Sequence, residues 1–189
     1  MNTAEKFIRV RDTVLRENEQ ALARVDVQAA VSLVNHIVNA RKVFCVGVGR
    51  VLLSLQAFTK RLAHLGIDAH YVGEITEPAI TGEDLLIAGS GSGESLFPLS
   101  IVRKAKSLGA LVVHIGSNPK SSMAEFTDMM IRIPVRTKLA LEDEIDSQQP
   151  MTSLFEQSLL LFGDIIARMI IEEKGLDLYN LWQYHANLE

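Results

Sequence analysis

Apolar residues follow two patterns along the chain, helical spacing and short continuous runs. The change from one pattern to the other predicts the order of its elements. In residues 3–39 they fall at the three- and four-residue intervals of helices, which predicts two helices ahead of the main fold. Short continuous apolar runs then predict five buried strands, at 43–46, 69–72, 84–88, 110–115 and 129–133. Between and after the strands, helical spacing predicts helices over 52–65, 95–108, 121–126, 152–174 and 177–187.

Strands that alternate with helices indicate an α/β fold with a parallel sheet covered on both faces. We expect one domain over residues 1–189, with N-terminal helices (about 3–39), a sheet core (about 43–133) and C-terminal helices (about 152–187). Ligands of such sheets bind beyond the carboxyl ends of the strands, near the point where the strand order reverses. Glycine-rich turns follow strands one and three, so both turns are expected to line one crevice.

Composition excludes several classes of protein. The 189 residues are 48% hydrophobic and 22% charged, and the net charge of −4 argues against a nucleic-acid partner. Cys45 is the only cysteine and lies in an apolar run, which predicts a buried thiol in a reducing, cytoplasmic setting. Residues 1–11 are too polar for a signal peptide, and the longest apolar stretch, 158–171, is too short to cross a membrane.

The segment Leu85–Ser95 carries the strongest chemical signal, because three serines and three glycines stand between a buried strand and a helix. Glycine lets backbone N–H groups approach a ligand closely, and the N-terminus of a helix favours negative charge. The turn is therefore a candidate phosphate site. The alternative is a flexible Gly/Ser connection that binds nothing.

Other candidate residues are ambiguous by pattern alone. Arg50 follows the first glycine-rich turn and could meet a phosphate, or it could be an exposed arginine. Ser153-x-x-Glu156 fits a capping box, whereas a carboxylate at a helix start that faces the crevice could also be a catalytic base. His64 and His185 could assist catalysis, although a lone histidine is more often structural.

Three further patterns point away from other chemistries. The turn after strand one lacks the third glycine of a dinucleotide fingerprint, and no Walker sequence is present. No group of Cys and His residues has the spacing of metal ligands. The charged residues around the loop at 138–146 are expected to be solvated. These residues are Lys138, Glu142, Asp143, Glu144 and Asp146.

Five segments together resemble a sugar isomerase (SIS) domain, and within that group they are similar to the 6-phospho-3-hexuloisomerases. The serine-rich turn is common to SIS domains, whereas the segment that contains Glu156 and the C-terminal tail are much more specific. The five segments are Gly47–Arg50, Arg61–Gly66, Ser90–Ser95, Gln149–Gln157 and His185–Glu189.

This resemblance implies a three-layer, Rossmann-like sandwich with a five-stranded parallel sheet, usually assembled as a tetramer. It implies an aldose/ketose-type sugar-phosphate isomerase that needs no cofactor and interconverts 3-hexulose 6-phosphate and fructose 6-phosphate. By resemblance, Glu156 is the base, and His64 assists it across a subunit boundary, with His185 as the second candidate. The substrate-binding positions implied are Gly49, Arg50, Ser90, Gly91, Ser92, Gly93, Glu94 and Ser95.

The first turn departs from the family pattern, in which Gly-Arg-Ser-Gly is usual, because Val51 and Leu52 follow Arg50 here. The change removes a hydroxyl that would face the phosphate, so Val51→Ser is expected to restore a contact unless Leu52 has reshaped the pocket. Two other functions stay open. One is a sugar-phosphate sensor without catalysis, and the other is an isomerase of another phosphosugar such as arabinose 5-phosphate.

Overall fold

Five parallel strands form the central sheet of the structure, a computed structural model that describes residues 2–188. The strands are β1 (Val43–Val46), β2 (Ala69–Tyr71), β3 (Leu85–Gly89), β4 (Leu111–Gly116) and β5 (Met129–Arg132). The helices are α1 (Thr3–Ala23), α2 (Val27–Asn39), α3 (Gly49–His64), α4 (Leu96–Ser107) and α5 (Ser153–Glu173). Two 3₁₀ helices span Ser122–Phe126 and Asn180–Tyr184. The predicted α/β fold is confirmed.

The sheet is buried on both faces because successive side chains of a strand point to opposite sides. In β1, Phe44 and Val46 pack with the apolar side chains of α4, whereas Val43 and Cys45 pack with those of α2, α3 and α5. Burial raises the pKa of the Cys45 thiol to about 12. Cys45 is therefore an inert core residue, as predicted.

The strand order β2-β1-β3-β4-β5 reverses between β1 and β3. These two strands are direct neighbours, with Val46 opposite Ala88 at their carboxyl ends. The chain leaves β1 toward one side of the sheet and β3 toward the other, and such reversal points are where ligands of parallel sheets bind. The two glycine-rich turns therefore lie side by side at the carboxyl ends of β1 and β3.

Two helices differ from their predicted bounds. The helix after β1 starts at Gly49 rather than at 52. Gly49 itself has a left-handed φ of +57°, which glycine adopts readily. The predicted helix over 177–187 is a shorter 3₁₀ helix at 180–184, with bonds between residues three apart, such as Trp182 N–H to the Tyr179 carbonyl. Glu189, the last residue of the tail motif, lies outside the described residues.

Candidate active site

The serine hydroxyls of the turn after β3 form hydrogen bonds within the turn itself. Ser90 Oγ accepts from the Gly93 N–H at 3.1 Å and donates to Ser95 Oγ at 3.2 Å. Ser92 Oγ accepts from the Glu94 N–H at 3.3 Å. A hydroxyl that accepts from an N–H can still donate its own proton, so the Ser92 hydroxyl is able to donate to an anion in the crevice. Gly93 has a φ of +69°, which this tight turn requires.

The side chain of Glu94 points to the 3₁₀ helix that follows β4. Its Oε1 accepts from the Ser122 N–H at 2.8 Å, and this hydrogen bond lowers the pKa of Glu94. Any contact of Glu94 with a phosphate at this turn would therefore come from its backbone N–H. Its carboxylate instead ties the turn to the neighbouring loop.

The turn after β1 places Arg50 and Val51 on different sides. The Arg50 side chain is 63% exposed, and its Nε donates to Oε2 of Glu156. Val51 points inward: a Cβ atom added to Gly47 would lie 3.2 Å from Val51 Cγ1, and one added to Gly89 would lie 2.9 Å away. Val51 thus packs over Gly47, which follows β1, and Gly89, which ends the neighbouring strand β3.

The capping-box interpretation of Glu156 is wrong. Thr152, not Ser153, precedes the first residue of α5, and the Glu156 N–H bonds to the Thr152 carbonyl at 3.1 Å as in a regular helical turn. The carboxylate of Glu156 is buried, with 8% of the residue exposed. Its Oε1 accepts from the Thr152 hydroxyl at 2.9 Å, and its Oε2 accepts from Arg50. The Glu156 side chain therefore contacts Arg50 and Thr152 and does not form a capping box.

Packing of α5 against both turns brings the predicted residues together. The position of a Cβ atom on Gly91 would lie 3.6 Å from the ring of Phe155, which directly precedes Glu156. The Ser54 hydroxyl on α3 donates to the Glu156 carbonyl at 2.8 Å. The first turn of α5 is thus fastened between α3 and the serine-rich turn, and Arg50, Glu156 and that turn share one end of the sheet.

Two residues of α1 hold the chain on both sides of Glu156. Glu17 is 5% exposed, and it accepts hydrogen bonds of 2.7–3.1 Å from Ser147, Gln148 and Gln149. Burial alone would raise the pKa of Glu17, but these hydrogen bonds lower it below its ordinary value. Asn18 Nδ2 donates to Gln157 Oε1 at 2.8 Å. No sequence signal marked this pair, because both read as polar positions of an amphipathic helix.

The two candidate histidines lie together, but away from Glu156 of the same chain. The rings of His64 and His185 stack with centroids 5.2 Å apart, and both line a cavity of about 360 Å³ with Trp182. His64 ends α3, whereas Arg50 begins it, so about 20 Å of helix separates the two. Within one chain neither histidine can reach the reaction that Glu156 would catalyse.

The charged residues of the loop are mostly exposed, as predicted, but three of them also form ion pairs or hydrogen bonds. Asp143 forms a two-point pair with Arg132 at 2.6 and 2.8 Å, which lowers the pKa of Asp143. Glu144 accepts from the Ser117 hydroxyl at 2.7 Å and from the Thr137 hydroxyl at 3.1 Å. Since Thr137 also packs on Gly91, with 3.2 Å to its Cβ position, the loop braces the serine-rich turn. Asp146 pairs with Arg136, whereas Lys138 and Glu142 are exposed as predicted.

Neither a metal centre nor a membrane segment emerges from the described part of the chain. Among residues 2–188, no cluster of three or more His, Cys, Asp or Glu residues is arranged to hold a metal ion. Within the same residues, every helix is too short or too polar to cross a bilayer. The chemistry available at this edge of the sheet is that of hydroxyls, a guanidinium, a carboxylate and backbone N–H groups.

Known proteins are similar to this chain in both sequence and fold. The family model of the SIS domain matches residues 36–162. A 3-hexulose-6-phosphate isomerase of Bacillus subtilis is 40% identical over 176 residues, which cover 93% of this chain and 95% of that protein. One from Mycobacterium gastri is 34% identical over 180 residues, covering 95% and 88%. A Methanococcus jannaschii protein, whose crystal structure was taken to infer that same activity, superimposes with a TM-score of 0.84 at 30% identity over 96% of this chain and 99% of its own.

Proposed function

The chain belongs to the SIS domain family, and from that premise we propose that it is a phosphosugar isomerase that interconverts 3-hexulose 6-phosphate and fructose 6-phosphate. The supporting observation is the placement of Glu156. Of the buried carboxylates of residues 2–188, which are Glu17, Asp84 and Glu156, only Glu156 contacts the first turn and adjoins the serine-rich turn. A proton acceptor and an anion site therefore share one crevice.

The reaction moves a carbonyl group from C3 to C2 of the sugar. The base removes the C2 proton, which is acidic because it neighbours the ketone, and the electron pair forms a cis-enediolate. Within the enediolate a proton passes from the oxygen on C2 to the oxygen on C3. The carbonyl then forms at C2, and the base returns its proton to carbon C3. One carboxylate can perform both carbon steps, so the chemistry requires neither metal nor nucleotide.

In this proposal the Glu156 carboxylate is the base, and the turn Ser90–Ser95 binds the phosphate. The phosphate provides binding energy away from the reacting carbons, which holds the sugar in position for proton transfer. Arg50 would contact the substrate from the opposite turn. Its exposed guanidinium can exchange Glu156 for a sugar oxygen or the phosphate, because an ion pair with an exposed partner is weak.

A second subunit would provide the histidine. Since His64 lies about 20 Å from Arg50 along α3 of the same chain, and His185 stacks on His64, either can assist Glu156 only across a subunit boundary. Exposed apolar residues on α1, such as Phe7 and Leu15, favour an oligomer. We assign a homotetramer in the cytoplasm, where the buried thiol of Cys45 stays reduced.

Exchange of deuterium into fructose 6-phosphate tests this function. The purified protein is incubated with fructose 6-phosphate in D₂O, and the labelled carbon is identified by NMR. Deuterium at C3 together with a second ketose is the expected result. Label at C1 would indicate an aldose–ketose isomerase instead, and no label with bound ligand would indicate a sensor.

A further inference from the structure

His114 lies beneath the serine-rich turn and is absent from the mechanism above. It belongs to β4, its side chain is fully buried, and its Nε2 lies 2.9 Å from the carbonyl oxygen of Ser90. A carbonyl oxygen can only accept, so Nε2 must carry the proton and donate it. This is a tertiary contact between strand β4 and the first residue of the turn.

Two glycines leave the space that this contact needs. A Cβ atom on Gly116 would lie 2.4 Å from His114 Nε2 and 2.5 Å from the Ser90 oxygen, so any side chain there would separate the pair. A Cβ atom on Gly93 would lie 2.2 Å from Ser121 Oγ and 3.1 Å from His114 Cε1. The turn therefore rests directly on the imidazole and on the buried Ser121 side chain.

The imidazole is suited to hold a carbonyl and not to attract an anion. Burial lowers the pKa of His114, and the hydrogen bond to Ser90 opposes that effect only in part. A neutral ring provides one directed N–H without adding a positive charge under the turn. Fixing the Ser90 carbonyl also fixes the Ser90 hydroxyl, which accepts from Gly93 and donates to Ser95.

We propose that His114 is a positioning residue that holds the phosphate-binding turn in shape through the Ser90 carbonyl. The inference rests on the proposed function, because it assumes that the turn binds the phosphate of the substrate. It implies that His114 affects the binding of sugar phosphate and of inorganic phosphate alike, and leaves proton transfer at the sugar carbons largely unchanged.

A matched pair of variants tests the role. In His114→Gln the amide nitrogen takes the place of Nε2 and can still donate to Ser90, whereas in His114→Asn the side chain is one bond too short. We expect KM for fructose 6-phosphate and the inhibition constant of inorganic phosphate to rise about fivefold in His114→Asn only, with kcat within twofold. This change corresponds to about 1 kcal/mol, one hydrogen bond. Val112→Ala, on the same buried face of β4, controls for lost stability.

The outcomes separate this inference from the proposed function. Ser92→Asp, compared with Ser92→Asn, measures in the same phosphate assay whether the turn binds anions. If Ser92→Asp and the wild type respond equally, the phosphate site and this inference fail together. If Ser92→Asp weakens phosphate binding but His114→Asn behaves like His114→Gln, the positioning role of His114 is overturned and the phosphate site stands. The same conclusion follows if Val112→Ala raises KM as much as His114→Asn does.

Discussion

Replacement of Glu156 by glutamine separates catalysis from structure at the centre of the site. In the wild type, Oε1 accepts from the Thr152 hydroxyl at 2.9 Å and Oε2 accepts from Arg50. The amide of Glu156→Gln keeps one acceptor and the shape of the side chain, but it cannot take up a proton from carbon. It also places an NH₂ group opposite one of the two donors, the Thr152 hydroxyl or the Arg50 guanidinium, that the wild-type carboxylate accepts from.

The magnitudes of the two effects differ greatly. The Arg50 side chain is 63% exposed, so the ion pair that is lost contributes about 1 kcal/mol or less to stability. For a chain of this size that is a shift in melting temperature of roughly 2–4 °C. Loss of a general base lowers kcat by about a hundredfold to ten-thousandfold. Activity should therefore collapse in a protein that is still folded.

The assay is the rate of deuterium exchange at C3 of fructose 6-phosphate, measured beside thermal unfolding. Glu172→Gln is the control, because Glu172 lies on the same helix and also pairs with an arginine, Arg168 at 2.9 Å, but its carboxylate is exposed whereas that of Glu156 is buried. We expect the control to exchange at the wild-type rate. If Glu156→Gln loses a few degrees of stability and keeps a rate near that of the wild type, Glu156 is structural and the mechanism is refuted.

Three further predictions follow from the same geometry. The pKa of Glu17 is lowered in the folded protein. Ionised Glu17 therefore stabilises the fold fully above the ordinary pKa of about 4.3, and this stabilisation is lost as pH falls below that value. The unfolding free energy of Glu17→Gln should fall less between pH 6 and 3 than that of the wild type. Val51→Ser loses packing on Gly47 and Gly89, so a lower melting temperature is expected without tighter fructose 6-phosphate binding; a tenfold gain in affinity would instead support a lost hydroxyl contact. Mixing Glu156→Gln with His64→Ala, or with His185→Ala, should restore part of the activity for whichever histidine acts across subunits, whereas mixtures as inactive as the separate variants would exclude a shared site.

Local signals in the sequence determined the elements and the location of the chemistry. Continuous apolar runs and period-3.6 patterns depend on which faces of each element are buried, and that can be seen within a few residues. The order of strands and helices then implied a parallel sheet, and a Gly/Ser cluster after β3 implied an anion site at its carboxyl end. Motifs around Ser90 and Glu156 resembled the family that the comparisons identified.

Only the tertiary structure decided what each side chain does. Ser153-x-x-Glu156 satisfies the capping pattern, but α5 begins at a register that turns Glu156 toward Arg50, a residue 106 positions away. His114 reads as one residue of a strand, and its role depends on a backbone carbonyl 24 positions earlier and on two glycines that leave room for its ring. Such contacts arise from the packing of distant segments, so no spacing along the chain encodes them. The sequence specifies which groups are available, and the fold selects the pairs that meet.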